Sequence, residues 1–225
     1  MYAMVDDRPG AARRMLAAPQ GSVERRAAGA NKLRLRRGRT LFDDGEAARH
    51  FFEIVSGTVR CYRLIQDGRR QIHRFAAAGD LLGLSCERSY GYSAEAVTAV
   101  VARRYPMATL DSAMDADAML RRRVLQALRD ELAATRTHMM LLGRMSAAEK
   151  LASFLLTLAR RSPGSGAHVE LPMTRSDIAD YLGLTIETVS RKLNELQALG
   201  LIRLDTPSRI EITDGTGVEA IAEAA

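Results

Sequence analysis

Three polar side chains near the C-terminal end of the chain have the types and spacing that suit contacts with DNA bases. Glu187, Ser190 and Arg191 share one face of a predicted helix within the segment MTRSDIADYLGLTIETVSRKL, residues 173–193. Arginine can donate two hydrogen bonds to O6 and N7 of guanine, glutamate can accept one from N4 of cytosine, and serine can do either. The face therefore has the chemistry to distinguish one base pair from another.

A helix-turn-helix is predicted to hold these side chains in place. Thr174 can cap the first helix, with Asp177 three residues later as the reciprocal capping partner. Gly183 is placed to end that helix in the left-handed conformation, and Thr185 can cap the second helix. The second helix has an apolar face that is predicted to be buried, formed by Ile186, Val189, Leu193 and Leu196. In this motif the second helix enters the major groove and presents its first turns to the base edges.

An ordinary helical hairpin is the alternative, with Glu187 and Arg191 forming an i,i+4 ion pair on its surface. We favour DNA binding, because the capped turn, the glycine and the polar face occur together. After Gly200, LIRLDTPSRIEIT reads as a β-hairpin, which in this position would be a wing. Seven side chains of the motif and the wing are expected to contact DNA phosphates: Thr174, Arg175, Thr185, Thr188, Lys192, Arg203 and Arg209.

The charge of the chain does not by itself indicate DNA binding. The whole chain carries a formal net charge of +6, yet residues 146–225 hold eight Lys and Arg against eleven Asp and Glu. DNA affinity must then depend on a few well-placed basic side chains, since phosphate neutralisation supplies much of it. Several of the acids lie in the last fifteen residues, which we expect to be free to move away from DNA.

The segment MTRSDIADYLGLTIETVSR resembles the recognition signature of the Crp/Fnr regulators, and most closely that of the Fnr and FixK branches. In that family the E-xx-SR pattern, here Glu187, Ser190 and Arg191, reads a TTGA half-site. A weaker resemblance extends over about residues 30–213. It implies a homodimer that binds a TTGA-N6-TCAA palindrome, recruits RNA polymerase and activates genes for microaerobic or anaerobic life, including nitrogen fixation and respiration.

The fold class expected is α+β, in four parts. Residues 1–30 form an N-terminal arm. Residues 31–115 contain short apolar runs broken by glycines, which predicts a small sandwich or barrel. Its pieces GRTLFDDGE, FFEIVSGTVRCYRL, DGRRQIHRF and AAGDLLGL resemble, in order, the β-roll of the family, a cupin-like sensor domain. Residues 116–145 form a long helix, and residues 146–225 form the winged helix-turn-helix domain.

The long helix carries an apolar seam at heptad spacing. The seam consists of Leu125, Leu128, Leu132, Thr135, Met139 and Leu142. It predicts a homodimer, in which Glu131 and Arg136 at flanking positions can bridge the two chains. The alternative is a helix packed against its own domain.

No cofactor or metal is expected. Leu84 follows the Gly79–Gly83 run where cyclic-nucleotide regulators have a glutamate, and Glu95 stands near the place of their phosphate-binding arginine. No cysteine precedes Cys61, and iron–sulfur clusters normally require four thiolates. An effector-gated sensor remains the alternative function. One such sensor would use His73 as a haem ligand, although that residue is interpreted more simply as a packing residue. The other would use a redox-active Cys86, since the nearby cation Arg88 would lower the pKa of its thiol.

Cys61 reads as a small buried hydrophobic residue. An enzyme is not expected, because the chain has no Gly-rich phosphate loop, no G-x-S-x-G and no metal-spaced histidine cluster. It also has no run of eighteen apolar residues and no apolar core of a signal peptide at its start. A cytoplasmic protein without a membrane partner is therefore expected.

Overall fold

A computed structural model of the chain describes residues 31–85, 87–161 and 168–223. The predicted arm, residues 1–30, and Cys86 lie outside the described residues. Two antiparallel sheets of four strands each are followed by a long helix and then by a mixed helical and β domain. This is the predicted order of a β-roll, a connecting helix and a winged helix-turn-helix, so the predicted fold class is confirmed.

The β-roll is built from short strands whose inward side chains form one apolar core. The strands are β1 Asn31–Leu35, β2 Thr40–Phe42, β3 His50–Ser56, β4 Val59–Leu64, β5 Arg70–Ala76, β6 Leu81–Leu82, β7 Ser93–Ala96 and β8 Val100–Pro106. They form sheets in the orders β1-β8-β3-β6 and β2-β7-β4-β5. The core includes Phe42, Phe52, Ile54, Val59, Cys61 and Tyr90. Cys61 is fully buried, as predicted from its strand position.

A helix of 27 residues connects the roll to the C-terminal domain. After a short helix α1, Leu110–Ala116, the Asp117 carboxylate accepts hydrogen bonds from the first turn of helix α2, Ala118–Arg144. Glu53 of β3 attaches α2 to the roll, since it accepts from Arg123 at 2.6 Å and from the Tyr105 hydroxyl at 3.0 Å. Burial alone would raise the pKa of Glu53, but these hydrogen bonds and the Arg123 charge hold it below its usual value.

The C-terminal domain packs four helices and a three-stranded sheet around a second apolar core. Its elements are α3 Ala147–Arg161, β9 His168–Glu170, α4 Arg175–Leu182, α5 Ile186–Ala198, β10 Ile202–Thr206, β11 Arg209–Ile212 and α6 Gly215–Ala222. Our expectation that the last fifteen residues swing free is wrong for α6. Val218 of α6 is fully buried within this core, together with Leu155 of α3, so apolar burial holds the helix against the domain.

The roll and the C-terminal domain share part of this second core. Ile72, Phe75 and Val97 of the roll belong to the same buried cluster as Phe154 and the other core residues of the C-terminal domain. The Phe75 ring lies 5.5 Å from that of Tyr181 in α4. Residues that the sequence assigns to separate domains therefore form one continuous packed joint.

Most of the predicted seam on α2 lies exposed along the helix. Leu125, Leu128, Leu132 and Met139 are large exposed hydrophobic residues, with Met139 68% exposed. Leu142 differs, because it packs against the C-terminal core of its own chain. Glu131 also has an internal partner, with its Oε2 atom 3.5 Å from Nη1 of Arg74. Among the described residues, no helix combines the length and apolar character needed to cross a membrane.

Candidate nucleic-acid interface

The first helix of the motif begins and ends as the sequence predicts. The Thr174 hydroxyl accepts from the Asp177 amide at 3.1 Å, and the Asp177 carboxylate accepts from the Thr174 amide at 3.0 Å. These two bonds form the predicted capping box at the start of α4. Gly183 ends α4 at φ 63° and ψ 42°, a left-handed conformation that an L side chain adopts only with strain. The turn between the two helices is therefore specified by its own residues.

The second helix buries three of the four residues predicted to face the core. Thr185 caps α5 by accepting from the Thr188 amide at 3.2 Å, and Val189, Leu193 and Leu196 are buried. The prediction for Ile186 is wrong, since this residue is 46% exposed. Ile186 is the first residue of α5, and the buried face of the helix begins only at Val189.

The three predicted base-reading side chains lie exposed on α5. Glu187, Ser190 and Arg191 are all exposed, and the Arg191 side chain is 68% accessible. Arg191 has Glu195 as its nearest acid, with Nε and Oε1 3.9 Å apart, so the alternative pair with Glu187 is not formed among the described contacts. Hydrogen bonds from its own backbone amide and from the Thr185 hydroxyl lower the pKa of Glu187. The surface therefore presents an ionised acceptor beside an extended arginine.

Three of the four cations predicted to contact phosphates are already engaged with acids of their own domain. Lys192 Nζ lies 2.5 Å from Glu195, Arg203 pairs with Asp205 and Glu211, and Arg209 Nε lies 3.6 Å from Glu170. The Arg203 and Arg209 side chains are largely exposed, and surface pairs of this kind contribute little stability, so a phosphate can displace the acid. The predicted hydroxyl contacts Thr174 and Thr185 are exposed, and Thr188 is half-buried.

Arg175 is placed differently from the other cations. It is the first residue of α4 and is half-buried, and its Nη1 atom is enclosed without a hydrogen-bond partner among the described residues. Burial lowers the pKa of its guanidinium. A phosphate contact from Arg175 stays a prediction, and its guanidinium would have to turn outward to make one.

The histidine and cysteine side chains considered as sensors of an effector are packed against other side chains of the β-roll where the structure describes them. The His73 ring lies 5.0 Å from the Tyr92 ring, edge to face, and burial lowers the His73 pKa to about 4. Burial raises the pKa of the Cys61 thiol to about 12, which keeps it protonated and unreactive. The redox hypothesis for Cys86 falls outside the described residues.

A β-roll joined by a long helix to a winged helix-turn-helix with an accessible reading face defines a DNA-binding transcription regulator. The Crp-like helix-turn-helix domain family matches residues 149–221, and the cyclic nucleotide-binding domain family matches residues 32–117. The chain is 41% identical over 190 residues to the nitrogen fixation regulation protein FixK of Bradyrhizobium diazoefficiens. The aligned region covers 83% of this chain and 80% of that protein. FixK of Azorhizobium caulinodans is 40% identical over 80% of this chain and 75% of its own length.

The solved structures agree with the sequence comparisons. The structure of FixK2 from Bradyrhizobium japonicum superposes with a TM-score of 0.82 and 35% identity, covering 87% of this chain and 98% of that one. The chain belongs to the Crp/Fnr family of transcription regulators, and within it to the FixK type. The family is one of regulators and not of enzymes.

The β-roll does not fit the cyclic nucleotide that its domain family implies. Gly83 and Ser93, in the segments where the family resemblance places the phosphate, have internal partners. The Gly83 amide donates to the Tyr92 hydroxyl at 3.1 Å, and the Ser93 hydroxyl accepts from the Asp44 amide at 2.9 Å. Glu95 places a carboxylate where a cation would be needed and pairs with Arg60 at 2.6 Å. An anionic ligand would therefore meet the Glu95 carboxylate and a Gly83 amide that already donates within the roll.

The left-handed Gly183 should stabilise the turn between α4 and α5. In Gly183→Ala the new Cβ would adopt a disfavoured φ and lie 3.3 Å from Leu142 Cδ2. We expect the free energy of unfolding to fall by about 1 kcal/mol or more, because a left-handed L residue costs that amount.

Gly143→Ala is the matched control for this variant. Gly143 lies in helical conformation near the end of α2, and a Cβ there meets open space. Its stability should stay the same or rise by up to about 1 kcal/mol. Urea unfolding followed by circular dichroism measures both variants, and equal shifts of the same sign would refute the role of the Gly183 backbone.

Proposed function

We propose that the protein binds, as a homodimer, a palindrome of the TTGA-N6-TCAA type. The observation that carries the proposal is the accessible face of α5, on which Glu187, Ser190 and Arg191 follow the E-xx-SR pattern. Arg191 would donate to O6 and N7 of the guanine, and Glu187 would accept from N4 of the paired cytosine. The exposed Ile186 stands at the start of the same helix, where it suits a thymine methyl group.

The dimer would form through the exposed seam of α2. An apolar stripe of this length is unusual on the surface of a monomer, and burying it against a second copy removes it from water. Leu125, Leu128, Leu132, Thr135 and Met139 form this stripe, and Leu142 extends it at the end nearest the C-terminal domain. Two-fold symmetry would place the two recognition helices in successive major grooves, about 34 Å apart. A palindromic site follows from that symmetry.

The regulated genes are inferred from the relatives. FixK proteins are named for the regulation of nitrogen fixation, and the FixK proteins of Bradyrhizobium diazoefficiens and Azorhizobium caulinodans align over most of this chain. We infer that the protein activates genes for microaerobic or anaerobic life, including nitrogen fixation and respiration, and that it recruits RNA polymerase at their promoters. Its partners would then be double-stranded DNA, a second copy of itself and RNA polymerase, all in the cytoplasm.

Base reading and phosphate binding should separate in two neighbouring variants. Arg191→Ala should cost about 1–3 kcal/mol on the palindrome and remove the preference for guanine at one position of each half-site. Lys192→Ala should weaken all sequences alike and reduce the salt slope of binding by about one. Fluorescence anisotropy on the palindrome, on a guanine-substituted site and on random DNA measures both effects. Equal losses on all three duplexes in Arg191→Ala would remove this residue from base reading.

Charges placed in the seam should separate the two subunits. Leu128→Lys with Leu132→Lys puts four ammonium groups into a dimer interface, where burying unpaired charge is strongly unfavourable. We expect a monomer in analytical ultracentrifugation, with the helix content of the parent protein. The control is Ala133→Lys with Met140→Lys, two exposed positions on the outer side of the same helix, which should remain dimeric. If the seam variant stays dimeric, the interface lies elsewhere.

A further inference from the structure

A cluster of charged side chains ties the β-roll to the first helix of the DNA-binding motif. Arg60 Nη1 lies 2.8 Å and Arg70 Nη2 2.7 Å from the same oxygen, Oδ1 of Asp177. Arg70 also donates to Oδ2 of Asp180, from Nε at 2.9 Å and from Nη2 at 2.7 Å. We call these four residues, Arg60, Arg70, Asp177 and Asp180, the Asp177 cluster. It joins strands β4 and β5 of the roll to helix α4.

The Asp177 carboxylate serves two structures at once. Its Oδ2 atom closes the capping box of α4, while its Oδ1 atom accepts from both arginines. The residue is 1% exposed, so these bonds are screened by solvent and salt far less than surface pairs. A bidentate or shared arginine–carboxylate geometry also fixes direction, because the guanidinium donors have a rigid planar arrangement.

The roll holds α4 at points spaced along the helix. Besides the contacts at Asp177 and Asp180, the Gln71 amide donates to the backbone carbonyl of Asp180 at 2.8 Å. The ring contact between Phe75 and Tyr181 adds an apolar contact one residue further on. Contacts near the beginning of a helix and in its last turn restrict its rotation and its tilt. Helix α4 therefore has one preferred orientation on the roll.

Orienting α4 also orients α5, the recognition helix of the motif. The turn at Gly183 and the Thr185 cap connect α4 to α5, and Leu182 and Val189 are packed in the same core. The two helices therefore move together. In the arrangement that the cluster holds, the face with Glu187, Ser190 and Arg191 remains exposed and the roll does not cover it.

We propose that Arg60 and Arg70 are positioning residues that fix the direction of the recognition helix in each subunit and so set the half-site spacing that the dimer accepts. The proposal rests on the proposed function, because spacing has meaning only for a dimer on a palindrome. The arginines touch no base. They act through Asp177 and Asp180, whose negative charges they also neutralise beside the helix that crosses the DNA backbone in this motif.

The test compares two DNA duplexes with each form of the full-length protein. One duplex carries the palindrome, and the other carries the same half-sites separated by one additional base pair. The insertion displaces one half-site by about 3.4 Å along the axis and rotates it about the helix. The ratio of the two dissociation constants measures spacing discrimination, and a general loss of electrostatic affinity cancels from this ratio.

The variant is Arg60→Gln with Arg70→Gln, and its control has the same number and kind of substitutions. Arg63→Gln with Arg69→Gln removes two arginines from the same hairpin, which are 66% and 78% exposed and pair with Asp44 and Asp67. The parent protein and the control should prefer the palindrome by about tenfold or more, or 1.4 kcal/mol. In the cluster variant the preference should fall to about threefold or less, with dimer mass and helix content unchanged.

Each outcome separates the two claims. If the parent discriminates between the duplexes and the cluster variant discriminates equally well, the positioning role is wrong and the proposed function stands. If the parent binds both duplexes equally, the dimer accepts no single spacing, so the positioning role fails and the N6 spacing of the proposed palindrome fails with it, whereas the inverted symmetry of the site is not contradicted.

A cluster variant that does not fold is replaced by Asp180→Asn, which leaves the capping box intact. Combined with Arg70→Gln it should reduce discrimination no more than Arg70→Gln alone, because loss of Arg70 already removes the Arg70–Asp180 contact. Additive losses would show that the two residues act separately and would overturn the proposal.

Discussion

The shared carboxylate of Asp177 is the interaction on which the arrangement of this protein depends. One of its oxygens begins the first helix of the DNA-binding motif, and the other receives two arginines from the β-roll. The start of α4 and its attachment to the roll therefore use the same side chain. The apolar contact between the Phe75 and Tyr181 rings lies at the same joint and adds buried area to it.

This contact also compensates part of the negative charge of the DNA-binding region. Residues 146–225 have an excess of acids, which is unfavourable beside a phosphate backbone. Asp177 and Asp180 are compensated by Arg60 and Arg70, which belong to a different part of the sequence. Asp205 and Glu211 are compensated within the wing by one arginine. The electrostatics of the DNA-binding surface is therefore a property of the whole chain, and the charge of the domain alone is misleading.

The local features of the motif were predictable because local rules produce them. The Thr174–Asp177 capping box and the left-handed Gly183 follow from residue types a few positions apart, and the buried face of α5 follows from helical periodicity. The exposure of Ile186 was missed, because periodicity does not say where along a helix the core begins. The partners of Asp177 were missed for a different reason. They lie 117 and 107 residues away in the sequence, and pairing over such distances leaves no periodic pattern.

The central claim is that a symmetric pair of these recognition faces reads one sequence, and selection of bound DNA by the purified protein from a random pool tests it most directly. We expect an inverted repeat of TTGA-type half-sites with a single preferred spacing, their centres about 34 Å apart. A selected sequence without inverted symmetry, or one in which the guanine of the half-site is not retained, would contradict it.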